Sequence, residues 1–313
     1  MQNRRPHFSS SNQHFSSKKN FRKPYKNARR MHGSSINVSQ FINKVNEKTF
    51  IKPKEQPITH KFDDFIVDER IKANIKRKGY IVPTPIQDQA IPFGLEGKDV
   101  IGIANTGTGK TAAFLIPLLN KMLKNPAQKA LILAPTRELA FQIDSELREF
   151  ARGLNLGAVL CIGGSNIVNQ IRQLRYPHNL IIGTPGRIID LLKRRLLFLE
   201  RFQNVVLDEA DRMVDMGFIN DIRLILGKLP RERQSFFFTA TLEAKVEELI
   251  RQFLNNPIKV SVKLQNTPTN IEQDIVHVPR DNKAKLKILI DHLNKPGFDK
   301  VLVFGRTKFG VEK

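Results

Sequence analysis

Val100-Ile101-Gly102-Ile103-Ala104-Asn105-Thr106-Gly107-Thr108-Gly109-Lys110-Thr111 decides the fold. A continuous apolar run ends in a glycine-rich turn, and Lys-Thr opens a helical pattern. The glycines let backbone N–H groups curl round phosphate oxygens, and the helix start adds its positive end. In such a P-loop, Lys110 reaches the β- and γ-phosphates and the Thr111 hydroxyl binds Mg²⁺. Ala104 stands where the first glycine usually does. The bland alternative is a plain strand–helix turn, which the Gly-Lys-Thr ending argues against.

Outward from the loop, short apolar runs alternate with helical patterns. Strands are expected at Val100–Ala104, Ala130–Ala134, Ala158–Ile162, Leu180–Ile182, Val205–Leu207, Ser235–Phe238 and Ile258–Val262. Helices are expected over 111–124, 137–153, 165–174, 187–194, 219–227 and 242–254. Most of the strand runs are continuous, as strands buried on both faces are. The alternation implies an α/β fold, a parallel sheet flanked by helices, with ligands at the carboxyl ends of the strands. After Val205–Leu207 come Asp208-Glu209-Ala210-Asp211. Carboxylates there share the P-loop's sheet edge, placing Asp208 to hold Mg²⁺ through water and Glu209 to polarise an attacking water.

Charge narrows the class of partner. Over 313 residues, 52 Lys and Arg against 30 Asp and Glu leave a formal +22. Half of the excess lies in residues 1–60, with 13 basic and 2 acidic residues. Residues 1–35 hold nine basic residues, no acid, and Phe8, Phe15, Phe21 and Tyr25. Without a period of 2 or 3.6, this stretch reads as disordered, and residues 1–58 as a basic low-complexity tail. It serves as an RNA-tethering arm, with cations on phosphates and aromatics on bases, or as a solubilising tail. An organelle transit peptide is a third reading, against which the missing amphipathic period counts. No apolar run reaches the ~18 residues of a membrane span. The single Cys161 excludes an internal disulfide framework and reads as a small core residue. His60 and the other histidines lack ligand spacing. A soluble, cytoplasmic, nucleic-acid-facing protein with no membrane partner is expected.

Residues 59–262 form the first domain and 263–273 a polar linker containing Pro268. The pattern then restarts over 274–313, with a strand near Asp274–Val278, a helix near Lys283–Leu293 and a strand at Val301–Phe304. Two strands cannot close a parallel sheet, so this part reads as the incomplete start of a second domain.

Taken together, Ala104–Thr111 and Asp208–Asp211 resemble the DEAD-box ATP-dependent RNA helicases, and Val303–Lys308 resembles their bacterial branch. The resemblance runs from about Phe62 to Lys308, with the motifs in the family's order, and implies a RecA-like P-loop domain plus the beginning of another. Gly79-Tyr80 and Pro83-Thr84-Pro85-Ile86-Gln87 look like the family's adenine-reading motif. It implies that Gln87 reads adenine and that Phe62 stacks on the base. Thr84-Pro85-Ile86-Gln87 is equally a helix start, with Thr84 as N-cap and Gln87 completing a capping box. One amide serves both roles only in part.

Pro135-Thr136-Arg137, Gly163-Gly164 and Thr184-Pro185-Gly186-Arg187 resemble RNA-contacting motifs. Thr136 and Thr184 each look like an N-cap after a strand, so free N–H groups and an arginine face outward. Ordinary capping is the alternative. Backbone contact alone implies RNA binding without sequence specificity. Thr239-Ala240-Thr241 resembles the Ser-Ala-Thr motif, implying with Asp211 a link between metal site and RNA face. Val303-Phe304-Gly305-Arg306-Thr307-Lys308 looks like the first motif of a second domain. The resemblance implies ATP and Mg²⁺ as cofactors and RNA-stimulated ATP hydrolysis that unwinds short duplexes or remodels RNA–protein complexes. An ATP- and RNA-binding module with little turnover is the alternative for the chain as given. A P-loop ATPase acting on DNA or protein is a third.

Overall fold

Apolar runs that can satisfy their backbone groups only against one another assemble here into a single sheet. A computed structural model describes residues 57–262, 275–279, 281–297, 300–305 and 307. Residues 1–35 and the linker 263–273 lie outside the described residues. Those described fall into two units, one holding 57–262 and the other those from 275 on.

In the first unit a 3-10 turn, Phe62–Asp64, precedes α1 (Glu69–Arg77) and α2 (Pro85–Leu95). Then β1 (Val100–Ala104) leads to α3 (Lys110–Lys124), and β2 (Ala130–Leu133) to α4 (Arg137–Phe150). Next, β3 (Ala158–Cys161) leads to α5 (Ile167–Leu174), and β4 (Leu180–Gly183) to α6 (Pro185–Lys193). Further on, β5 (Asn204–Leu207) leads to α7 (Ala210–Asp215) and α8 (Ile219–Lys228). Last, β6 (Gln234–Thr239) leads to α9 (Ala244–Phe253) and the chain enters β7 (Ile258–Val262). All seven expected strands form. They pair in parallel in the order β3-β4-β2-β5-β6-β1-β7, the expected RecA-like architecture.

Alternate side chains of β1 to β6 enter opposite cores, while β7 at the sheet edge buries Val260 and Val262 and leaves Lys259 and Ser261 exposed. Val100, Ala130, Ile132, Phe236 and Phe238 join the helices α1–α4 on one face. Ile101, Ile103, Leu131, Leu133 and Phe237 join α6–α9 on the other, where α5 packs through Ile171 and Leu174. The inner strands are covered on both faces, which is why their runs are continuous, whereas β7 alternates as an edge strand with one open face does. Each fully buried Phe or Ile contributes about 1.5–3 kcal/mol through lost apolar surface. At the amino edge Asp99 accepts from the N–H groups of Ser235 (2.6 Å) and Asn255 (2.9 Å), fastening the start of β6 and the turn before β7.

The structure corrects several expected boundaries. α4 stops at Phe150 because Ala151 caps it and Gly153 turns with φ +74°. α5 begins at Ile167, after Asn166 accepts from the Val168 N–H at 2.9 Å. Three further helices form: α2, whose start at Thr84–Gln87 is legible in the sequence, and α1 and α7, which are not. In α1 the buried stripe is Ile71, Asn74 and Ile75. Its polar member hides the periodicity, because the Asn74 amide donates to the carbonyls of Phe150 (2.7 Å) and Arg152 (2.9 Å). The six residues of α7 are too few to show a period.

In the second unit α10 (Asn282–Leu293) forms where a helix is expected. Neither expected strand does: described residues 275–279 and 301–305 carry no strand pairing. An extended segment becomes a strand only when its N–H and C=O groups find a neighbouring ladder, and the described residues of this unit supply none.

Candidate functional site

The carboxyl edge of the sheet orders the motifs. Along it stand Gly163-Gly164 after β3, Thr184–Arg187 after β4, Pro135–Arg137 after β2, Asp208–Asp211 after β5, Thr239–Thr241 at the end of β6, and the P-loop after β1. Segments distant in sequence thus become neighbours, with the two acid- and threonine-bearing segments between the P-loop and the three basic or glycine-rich ones. Ligands bind along such an edge.

At the P-loop, Gly107 and Gly109 take φ values of +82° and +89°. Any Cβ at Gly109 would overlap the Gln87 amide nitrogen, so both backbone and space require glycine there. Asn105, Thr106 and Gly107 are exposed at the loop tip, and Thr108 donates to the Asn105 carbonyl at 2.8 Å. Lys110 opens α3 and is only 6% exposed. Its Nζ has no hydrogen-bond partner and lies 3.8 Å from Asp208 Oδ1. A buried ammonium with unmade hydrogen bonds is costly unless a ligand completes it.

Asp208 is itself 2% exposed. Burial first, and the charges of Glu209 and Asp211 after it, push its carboxyl up to about 6, against the pull of Lys110 and the Glu209 N–H. A carboxylate so placed favours a bound cation. Among the described residues no group of three or more His, Cys, Asp or Glu could hold a metal ion. Mg²⁺ fits such a site, because it is held by one or two protein oxygens together with phosphates and water. Asp208 offers a buried carboxylate there, and Thr111 follows Lys110 in the first turn of α3.

Glu209 adopts a left-handed backbone, φ 51° and ψ 53°, rare for a residue with a Cβ and found where function fixes geometry. Its N–H is held by Asp208 Oδ1 at 3.0 Å. Its two oxygens accept from Thr106 Oγ1 (3.0 Å) and Arg212 Nη1 (3.1 Å). Sequence reasoning missed Arg212; its signal is the i, i+3 spacing from Glu209 across the start of α7. Asp211 Oδ2 accepts from the N–H groups of Ala240 (3.0 Å) and Thr241 (2.9 Å) and from the Thr241 hydroxyl (3.1 Å). Thr239 Oγ1 donates to the Thr241 carbonyl at 2.7 Å. Asp211, Thr239 and Thr241 are therefore one hydrogen-bonded unit.

Gln87 is 2% exposed and joins two elements. Its Oε1 accepts from the Thr84 N–H at 3.0 Å, and its Nε2 donates to the Gly109 carbonyl at 2.9 Å. The capping box is half made, since the buried Thr84 hydroxyl has no hydrogen-bond partner. One amide N–H and one lone pair of Gln87 stay uncommitted. Phe62 is 4% exposed, its ring 6.0 Å from those of Phe65 and Tyr80. The structure places it in the core, with little of its face open to a base.

Two of the basic segments differ in kind. Thr136 caps α4, accepting from the Leu139 N–H at 3.2 Å. Arg137 is exposed, with no hydrogen bond or ion pair among the described residues, and its guanidinium lies where a Cβ on Gly164 would be. Thr184 sits at the N-cap of α6, but its hydroxyl makes no capping bond, contrary to expectation. Pro185 fills the first helical position, where a missing N–H costs nothing. Gly186 is exposed beside it. Arg187 turns inward, its side chain 11% exposed and its Nη1 donating to Gln170 Oε1 at 2.7 Å. Gln170 was not legible as a site residue from sequence. Cys161 is fully buried, as expected. No helix among the described residues is long and apolar enough to cross a membrane.

Comparison with known proteins sets these observations in a family. The family model described as DEAD/DEAH box helicase matches residues 84–249. The ATP-dependent RNA helicase CshA of Listeria monocytogenes is 43% identical over 255 residues, 81% of this chain and 49% of that protein. The RNA helicase CrhR of Synechocystis is 44% identical over 253 residues, 80% of this chain and 51% of that protein. Among solved structures, a DEAD box protein from Methanococcus jannaschii matches with a TM-score of 0.63 at 34% identity, covering 75% of this chain and 63% of that one. The chain spans about half the length of the curated relatives it matches.

Proposed function

The chain belongs to the DEAD/DEAH box helicase family, and from that premise we propose that it binds ATP with Mg²⁺ at the P-loop and RNA along the neighbouring sheet edge. ATP hydrolysis stimulated by RNA would then open short duplexes or remodel RNA–protein complexes. The observation that carries the proposal is the buried Lys110 ammonium, without a hydrogen-bond partner and 3.8 Å from Asp208. It lies at the one stretch of sheet edge where a glycine loop, a helix start and acidic residues meet.

Each residue takes a role from its place. Asn105–Gly109 offer backbone N–H groups to the phosphates, and Lys110 neutralises the β- and γ-oxygens. Thr111 and Asp208 would hold Mg²⁺, which would supply positive charge against the phosphates. Glu209 orients the attacking water once Thr106 releases its carboxylate. Gln87 reads the adenine edge with its uncommitted N–H and lone pair. Asp211, Thr239 and Thr241 transmit the state of the nucleotide site across β6. Thr136, Arg137, Gly163, Gly164, Thr184 and Gly186 meet the phosphate backbone of RNA without reading bases. Residues 59–262 act as the ATP-binding domain and 274–313 as the beginning of a second. The working compartment is the cytoplasm.

A second reading is an ATP- and RNA-binding module with little turnover. It is favoured by the two expected strands of 274–313 that do not pair among the described residues. Steady-state ATP hydrolysis with and without RNA separates the two. Lys110→Ala should lose nucleotide binding and any hydrolysis, while Glu209→Gln should keep binding and lose hydrolysis. RNA-stimulated turnover surviving in Lys110→Ala would overturn the assignment. Nucleotide binding with no turnover in the parent chain would leave the second reading standing.

A further inference from the structure

Helix α5 buries the wrong residue for a helix that only packs. Of its eight residues Gln170 alone is fully buried, at 5% exposure, while Val168 two positions earlier is 67% exposed. An amphipathic helix places its polar side chains outward. A buried amide is retained only where its groups are hydrogen-bonded, and both ends of this one are. Gln170 Nε2 donates to the Ile162 carbonyl at 3.0 Å, and Gln170 Oε1 accepts from Arg187 Nη1 at 2.7 Å.

Those partners belong to two different segments, a loop and a helix start. Ile162 immediately precedes Gly163-Gly164, and Arg187 lies in the first turn of α6, just after Thr184-Pro185-Gly186. The same guanidinium reaches the Ser165 carbonyl at 3.4 Å and lies 3.9 Å from Asp190 on its own helix. Arg187 is thus tied into the loop after β3, and Gln170 sets where it points.

We propose that Gln170 is a positioning residue for RNA: through Arg187 it fixes the loop after β3 against the start of α6, so that two phosphate-binding segments stand at one preformed spacing. This rests on the RNA-binding reading above. Preformed spacing matters because successive phosphates along a strand lie at a set distance, and a loop that must be ordered on binding weakens affinity by the entropy it loses. Arg137, exposed and without a hydrogen bond or ion pair among the described residues, supplies an open charge; Arg187 supplies the fixed geometry.

The test is a double-mutant cycle on the full chain. Gln170→Met, Arg187→Met and the double variant are titrated with a fluorescein-labelled oligouridylate, read by anisotropy at low salt. A fluorescent ADP analogue is titrated in parallel, and each variant is melted. Gln170→Met removes a hydrogen bond to a charged group and should weaken RNA binding about tenfold. In the Arg187→Met background the same change should have less than about a twofold effect. ADP affinity should stay within about twofold throughout, because Gln170 touches no P-loop residue. Gln170→Leu, which likewise lacks the acceptor for Arg187, is taken through the same cycle if the Met variant does not fold. Losses from the two single changes that multiply in the double variant would overturn the inference, as would RNA affinity in Gln170→Met equal to the parent's. A parent chain that binds ADP and no oligouridylate would overturn the RNA reading itself, which the variants cannot mimic.

Discussion

Replacing Gln87 with Met separates two roles that the structure assigns to one amide. Met keeps the length and the burial while removing both hydrogen bonds. The losses are the 3.0 Å contact from the Thr84 N–H and the 2.9 Å contact to the Gly109 carbonyl. Gln87 is 2% exposed, so water replaces neither partner easily. Each buried group left unsatisfied costs about 1–3 kcal/mol. Against this, an apolar thioether is cheaper to bury than an amide, so the net loss should be roughly 2–4 kcal/mol. For a domain of this size that lowers the melting temperature by roughly 5–15 °C. The drop should be present without nucleotide, because both bonds exist without it. Selectivity is the second readout. The uncommitted N–H and lone pair are what could tell adenine from guanine, so the ATP-over-GTP preference should fall by about tenfold or more. Thermal melting followed by competition binding of ATP and GTP measures both. A melting temperature within a degree or two of the parent's would refute the bracing of the P-loop. A large drop in melting temperature with an unchanged ATP/GTP ratio would leave Gln87 a structural residue only.

Gly109→Ala combines φ +89° with an overlap on the Gln87 amide; it should destabilise the domain by about 1–3 kcal/mol and weaken ADP binding more than tenfold, read by melting and titration. Asp211→Ala removes one acceptor from three donors; amide exchange at Ala240 and Thr241 should accelerate at least tenfold, and unchanged protection would refute the linkage. Cys161, its thiol pushed up to about 12 by burial, should resist thiol reagents at neutral pH until the chain unfolds. Because its folded value is raised, its contribution to stability is complete below the unfolded value of about 9 and is lost as pH rises towards 12. The stability difference between the parent and Cys161→Ala should therefore be flat below pH ~8 and shift against the parent above pH ~9; a flat difference up to pH ~11 would refute the burial argument.

The sheet was legible in the amino-acid sequence because its information is local. Short apolar runs of three to five residues, most of them continuous and separated by helical spacing, specify strands, and all seven formed. The P-loop and Asp208-Glu209 were legible for the same reason: glycines, a lysine and acids each stand directly after a strand. The two missed helices failed for local reasons, the two unformed strands for a non-local one. Asn74 broke the stripe of α1, and α7 was too short to show a period. The strands expected over 274–278 and 301–304 needed partners that no spacing within those segments can promise.

Side-chain commitments were decided only by tertiary structure. Sequence placed Arg137 and Arg187 in equivalent positions, each beside a helix start after a strand. Folding left Arg137 exposed and spent Arg187 on Gln170, a residue 17 positions away on another helix. Likewise, whether the Gln87 amide caps a helix, braces Gly109 or stays open to a base depends on α2 and α3 meeting, and the pairing of Glu209 with Thr106 spans 103 positions. Periodicity records which face of an element is apolar. It carries nothing on which polar atom of one element will lie within 3 Å of a polar atom on another, because that distance exists only after the parallel strands have set their order and register.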